Sequence, residues 1–188
     1  MEYFVYCRDR PGTRAVRERL TEAHWSFMDA YAERMIARGP TLTEDGETAT
    51  GSMHIVDLPD AEAARAFAFE EPNYRAGVYG EVMIRRWRNL LGRTMWEYRG
   101  GPEGGPRYLV IAHGGPRQTT TDPAELTAED RVIVFGPLLS DDGTGSVGAA
   151  LAVEAPSRDA VEAMLTAGPL AGLFDRIEIH RWEFGGRR

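Results

Sequence analysis

Residues 39–64, "GPTLTEDGETATGSMHIVDLPDAEAA", have a counterpart in residues 136–161, "GPLLSDDGTGSVGAALAVEAPSRDAV". The two passages are offset by 97 residues, and the correspondence runs on to Pro72 and Pro169. After the prolines the later copy loses two residues, and the match resumes as "AGVYGEVMIRRW" from Ala76 against "AGLFDRIEIHRW" from Ala171. At the front, "YFVY" from Tyr3 pairs with "YLVI" from Tyr108. This is an internal repeat, so the 188 residues divide into two small units rather than one large one. The boundaries expected are 1–98 for the first repeat, 99–106 for a glycine- and proline-rich linker and 107–188 for the second.

Each copy reads as strand, helix, strand, strand, helix, strand. In the first, "YFVYC" is a strand, residues 13–38 read as one long helix, and Gly39-Pro40 reads as its stop. A "TEDGE" turn leads into the strand "GSMHIV", Asp60 is placed to cap a second helix, and "GEVMIRRW" closes the unit as a strand. The order is the split βαβ, ferredoxin-like α+β plan. Antiparallel sheets of that plan carry helices on one face, so their strands should alternate apolar and polar. "YFVYC", "YLVIA", "RVIVF" and "AALAV" are instead apolar on both sides. The second face needs a cover, and the nearest one is the equivalent face of the other copy. The expected fold is therefore two βαββαβ repeats packed sheet to sheet, a dimeric α+β barrel built within one chain.

Composition narrows the function classes. Hydrophobic residues make up 43% and charged residues 27%, values of a chain that folds around a core. A net charge of −7, with Arg85, Arg86 and Arg88 as the one local basic cluster, points away from nucleic acid. Cys7 is the single cysteine, which excludes an intrachain disulfide and a thiolate metal cluster and suits a reducing cytoplasm. The start "MEYFVYCRDRPG" lacks the basic residues and long apolar core of a signal peptide, and no run approaches a spanning helix, so no membrane association is expected.

Candidate chemistry centres on the first repeat. In the long helix Val16, Leu20, Phe27, Tyr31 and Met35 form one stripe, and His24 falls on it. Such a histidine is either a satisfied core imidazole or a general acid/base in a cavity between helix and sheet, tuned by a carboxylate. "FEEPNY" offers that carboxylate as Glu70 or Glu71. His54 shares a strand face with Ser52 and Val56, and either lines the cavity between the sheets or faces water at a sheet end. Tyr3, Tyr6, Trp25, Phe27, Tyr74 and Tyr79 would suit a pocket for a flat ligand, though aromatics at this spacing also simply fill cores. His113 and His180 have no partner at metal-ligand spacing, so no metal is expected. The glycines of "DDGTGSVG" precede a strand and lack a phosphate-binding lysine, which makes them hairpin glycines.

These features together resemble the YCII, or YciI-like, family: the His24-Trp25 pair, the Gly-Pro before a strand, the turn with Asp45, Gly46 and Gly51, the second helix, the acid-proline step and the "AGVYGEVMIRRW" ending. The resemblance covers both repeats and implies a small ferredoxin-like domain that pairs into a barrel. It further implies a site joining the helix histidine to the acid of the acid-proline step, here His24 and Glu71-Pro72, where the family has aspartate. His54, Trp25, Tyr3, Tyr74 and Tyr79 are then the candidate substrate-binding residues. In the second repeat the segment from Tyr108 to Gly136 is eight residues shorter, its first helix reduces to about "DPAELTAED" without a histidine, and its acid-proline step has become Gly168-Pro169. That repeat reads as scaffold, without a cavity matching the first.

The function this implies is cofactor-independent acid/base chemistry, of lyase, isomerase or dehydrohalogenase type, on a small cyclic or aromatic metabolite. A non-catalytic ligand-binding or stress-associated module is the alternative, and an oxygenase of the dimeric-barrel type a further one. The partner expected is a small molecule, and pairing of two chains through the outer surface stays open.

Overall fold

A computed structural model describes residues 1–100, 105–114, 131–167 and 170–186. Eight strands close into one antiparallel barrel: β1 (Glu2–Asp9), β2 (Met35–Leu42), β3 (Ala49–Asp57), β4 (Tyr79–Trp87), β5 (Arg107–His113), β6 (Val132–Leu139), β7 (Ser146–Glu154) and β8 (Arg176–Trp182). Their order around the barrel is β1-β3-β2-β8-β5-β7-β6-β4. Helices α1 (Arg14–Arg19) and α2 (Thr21–Asp29) join β1 to β2, α3 (Ala61–Phe69) and α4 (Pro72–Arg75) join β3 to β4, and α5 (Arg158–Ala167) joins β7 to β8. The shortened helix expected at "DPAELTAED" and the Gly168-Pro169 step lie outside the described residues.

The doubly apolar strands are explained by this closure. Along β1, Phe4 and Tyr6 point into the barrel while Tyr3, Val5 and Cys7 face the helices. Along β5, Leu109 and Ile111 point inward while Tyr108, Val110 and Ala112 face the helix side of the second half. The interior is filled by side chains from both halves, including Met53, Ile55 and the repeat-equivalent Trp87 and Trp182. An eight-stranded barrel is just wide enough to be filled in this way, so its centre is core and not a channel.

The halves also join edge to edge. Thr41 and Leu42 of β2 pair with Trp182 and Arg181 of β8, and Leu138 and Leu139 of β6 pair with Trp87 and Arg86 of β4. At one mouth of the barrel Arg8 donates to Glu178 at 2.7 Å across the halves, and His113, Arg176 and His180 surround the same carboxylate at 2.7, 3.0 and 3.3 Å.

The long helix expected over residues 13–38 is a correction. It breaks at Leu20, ends at Asp29, passes through a short 3-10 turn (Ala32–Arg34) and gives way to β2 at Met35. Val16, Leu20, Phe27 and Tyr31 do pack against the helix-side core, but Met35 reaches that core from a strand. Gly39-Pro40 accordingly lies inside β2 and stops no helix. The physical reason is tertiary: Tyr31 turns edge-on to Phe67 with ring centres 4.9 Å apart, and the chain from Met35 gains a full ladder with β3 that a continued helix would forfeit. Asp60 caps α3, its carboxylate accepting from the Ala63 N–H at 2.8 Å. No helix among the described residues is long and apolar enough to cross a membrane.

Candidate functional site

On the helix side of the first half, outside the barrel, α2 stands off the sheet and leaves a cavity of about 320 Å³. His24, Trp25 and Met28 from α2 form one wall. Ser52 and His54 from β3, Arg38 to Pro40 from β2, and Asn73 from α4 form the others. His54 was expected either between the sheets or in water; it occupies neither, because the even-numbered residues of β3 face the helices while Met53 and Ile55 face the barrel core.

The cavity's one histidine–carboxylate contact is made by the acid-proline step. Glu71 caps α4, with Pro72 in the first helical position, where its missing N–H costs nothing. Glu71 Oε2 accepts from the Tyr74 N–H at 3.0 Å, which fixes the carboxylate and aims Oε1 at His24 Nδ1, 2.6 Å away. Glu71 is 2% exposed, whereas its neighbour Glu70 is exposed at the helix end. A carboxylate acceptor keeps the proton on Nδ1, so the Nε2 lone pair of a neutral His24 is the one left to the cavity.

A second polar chain runs beneath the same floor. Arg17 donates to both oxygens of Asp9 at 2.9 and 3.2 Å and to Ser52 Oγ at 2.8 Å. Tyr79 donates its hydroxyl to Ser52 Oγ at 3.1 Å and accepts from Asn73 Nδ2 at 3.3 Å. Burial pushes the Asp9 carboxyl up to about 6, outweighing the opposing pull of Arg17. Burial holds the imidazole of His54 well below its ordinary range, and the guanidiniums of Arg17 and Arg38, with any charge on His24, push in the same direction. His54 is thus a neutral wall, edge-on to Phe67 and 5.8 Å from the His24 ring centre. Burial likewise pushes the Cys7 thiol far up, so it is an inert core side chain.

Of the candidate residues, His24, Trp25 and His54 line the cavity and Glu71 stands directly behind His24. Tyr79 lies one layer beneath, behind Ser52. Tyr3 is packed in the helix-side core, and Tyr74 lies on the outside against Phe69, 37% exposed; neither lines the cavity. Sequence reasoning missed Arg17, Arg38, Asp9 and Asn73. Arg17 precedes His24 by seven residues and so falls on the same face of the helix expected over residues 13–38, a readable signal. Arg38 carries none, because the pattern of residues 13–38 is that of a helix and not of a strand. Among the described residues no group of His, Cys, Asp and Glu is placed to hold a metal ion.

Residues 1–88 match the model of the YCII-related domain. An uncharacterized protein of Haemophilus influenzae is 29% identical over 98 residues, which cover 48% of this chain and 100% of that one. Protein YciI of Escherichia coli O6:H1 is 26% identical over the same extent. Over the whole barrel, a chlorite dismutase variant from Candidatus Nitrospira defluvii overlays with a TM-score of 0.58, covering 97% of this chain and 91% of that one at 10% identity, a likeness of fold alone. The His24–Glu71 contact therefore sits within the part of the chain, residues 1–88, that matches the YCII-related domain.

Proposed function

We propose that His24 is a general acid/base and Glu71 the residue that orients it, acting without an organic cofactor on a small cyclic or aromatic metabolite held in the cavity. The observation that carries this reading is the 2.6 Å contact of His24 Nδ1 with a buried carboxylate that is itself fixed at a helix N-terminus. A base so held can abstract a proton next to a carbonyl or beside a leaving group and return it, which is what isomerisation, elimination and dehydrohalogenation share. Residues 1–98 are then the catalytic repeat, 99–106 its linker, and 107–188 the scaffold that closes the barrel.

The test is a panel of cyclic ketones and halogenated hydroquinones incubated with the protein in D₂O, read by proton NMR for deuterium uptake and by halide release. The wild type is expected to turn over at least one member, His24→Asn to lose about 10²–10⁴-fold in kcat, and Glu71→Gln to fall between them. If His24→Asn retains the wild-type rate, the acid/base assignment fails. If no panel member is turned over while one binds equally to both proteins, the site is a binding module.

A further inference from the structure

The cavity's charged groups are distributed unevenly. Its buried walls carry two guanidiniums, those of Arg17 and Arg38, whose side chains are 15% and 6% exposed. No carboxylate shares those inner walls: Asp9 and Glu71 lie behind Arg17 and His24, and the acids that line the cavity, Glu18 and Glu47, are exposed residues at its rim. Glu18 is already taken by Arg14 at 2.7 Å. Arg38 enters from β2, stacked 5.9 Å from the Trp96 ring, with Nη1 3.9 Å from the Asp29 carboxylate. The remaining walls near it are Met28, Pro40 and Trp25, flat and largely apolar.

We infer that this site selects a negatively charged small molecule, a carboxylate-bearing ring, with Arg38 as the residue that sets this specificity. A guanidinium offers a fixed fork of donors matched to a carboxylate, and its bonds to an anion in a partly dry cavity are short and strong. The volume of about 320 Å³ suits one ring with its substituents. This inference rests on the cavity being the site proposed above, but it concerns charge selection and not proton transfer.

Three probes of one shape separate the two: benzoate, benzamide and benzamidine carry negative, zero and positive charge. Binding to the full-length protein is measured by isothermal titration calorimetry and by NMR shifts of the indole N–H signals. Benzoate is expected to bind at least tenfold tighter than benzamide, and benzamidine more weakly than either. Arg38→Gln, with its fold checked by circular dichroism, should remove that tenfold preference, Arg38→Lys should keep part of it, and Arg75→Gln, at an exposed residue outside the cavity, should leave it standing. Equal binding of the three probes, no binding of any, or an Arg38→Gln protein with the preference intact overturns the inference. Should Arg38→Gln not fold, the charge series on the wild type and Arg38→Lys decides. A benzoate preference that persists alongside a fully active His24→Asn protein would sink the acid/base reading and leave this one in place.

Discussion

His54 is the residue whose environment makes the sharpest claim about solution behaviour. It is 3% exposed, and burial together with the neighbouring cations depresses its native pKa, whereas in the unfolded chain it titrates near 6.5. Between the two values the unfolded state binds the extra proton, so stability is present in full above about pH 6.5 and is lost as pH falls below it. Asp9, raised to about 6, works in the opposite sense between its two pKa values, because there the native state binds the extra proton. Comparing wild type with His54→Gln removes that shared contribution. Urea unfolding from pH 7 to pH 5 should show the wild type losing ground to the variant by up to about 1.4 kcal/mol per pH unit. A difference that stays flat over this range would mean that His54 is not held neutral.

At the scale of elements, the repeated Gly-Pro acquires a reason. Gly39 in β2 lies against the backbone of Glu183 and Gly185 just past β8, and its repeat-equivalent Gly136 in β6 lies against the backbone of Arg88 just past β4. These are the two seams at which the halves join, and the chains cross there so closely that a Cβ at either glycine would drive into a carbonyl. The hydrogen bonds from Gly185 N–H to Arg38 at 3.0 Å and from Leu90 N–H to Phe135 at 3.0 Å tie the same crossings. The prolines that follow cannot donate to a ladder, which suits strands that would be edges of an isolated half. Gly39→Ala and Gly136→Ala should each cost about 2 kcal/mol or more. In thermal melts that is a fall of roughly 4–8 °C. Gly145→Ala, in a turn whose nearest contact is Ser140 Oγ at 3.7 Å, should change stability by less than about 0.5 kcal/mol. Equal effects at all three positions would defeat the seam explanation.

For the whole molecule, the filled barrel means that neither half has a complete core. Residues 1–98 alone would leave Phe4, Tyr6, Met53, Ile55 and Trp87 facing water, a face now covered by Leu109, Ile111 and Trp182 from the other half. Apolar surface of that extent drives self-association. Produced alone, residues 1–98 should therefore run as a dimer in size-exclusion chromatography with light scattering, each copy standing in for the missing repeat. A folded monomer would show that the second half is dispensable to the core and would overturn this account of why the chain is doubled.

The repeat is legible in the amino-acid sequence as a match at a 97-residue offset and the Asp60 cap as a residue type before a helical run, while the α+β order and the need to bury both faces of the strands depend on period-two or period-3.6 patterning over a few neighbouring residues. The same patterning placed His24 on an inward stripe. It misjudged where that helix stops, since Asp29 gives way to β2 only because β3 and the barrel seam offer residues 35–42 a better set of partners. Which of Glu70 and Glu71 meets His24, 47 residues away, is decided by the cap of a four-residue helix, and the meeting of Arg38 with Arg17 at one cavity follows from the strand that residues 35–42 become. Short-range propensity sets which faces are apolar. The contacts that define the site join residues far apart in the chain, and only closure of the barrel brings them together.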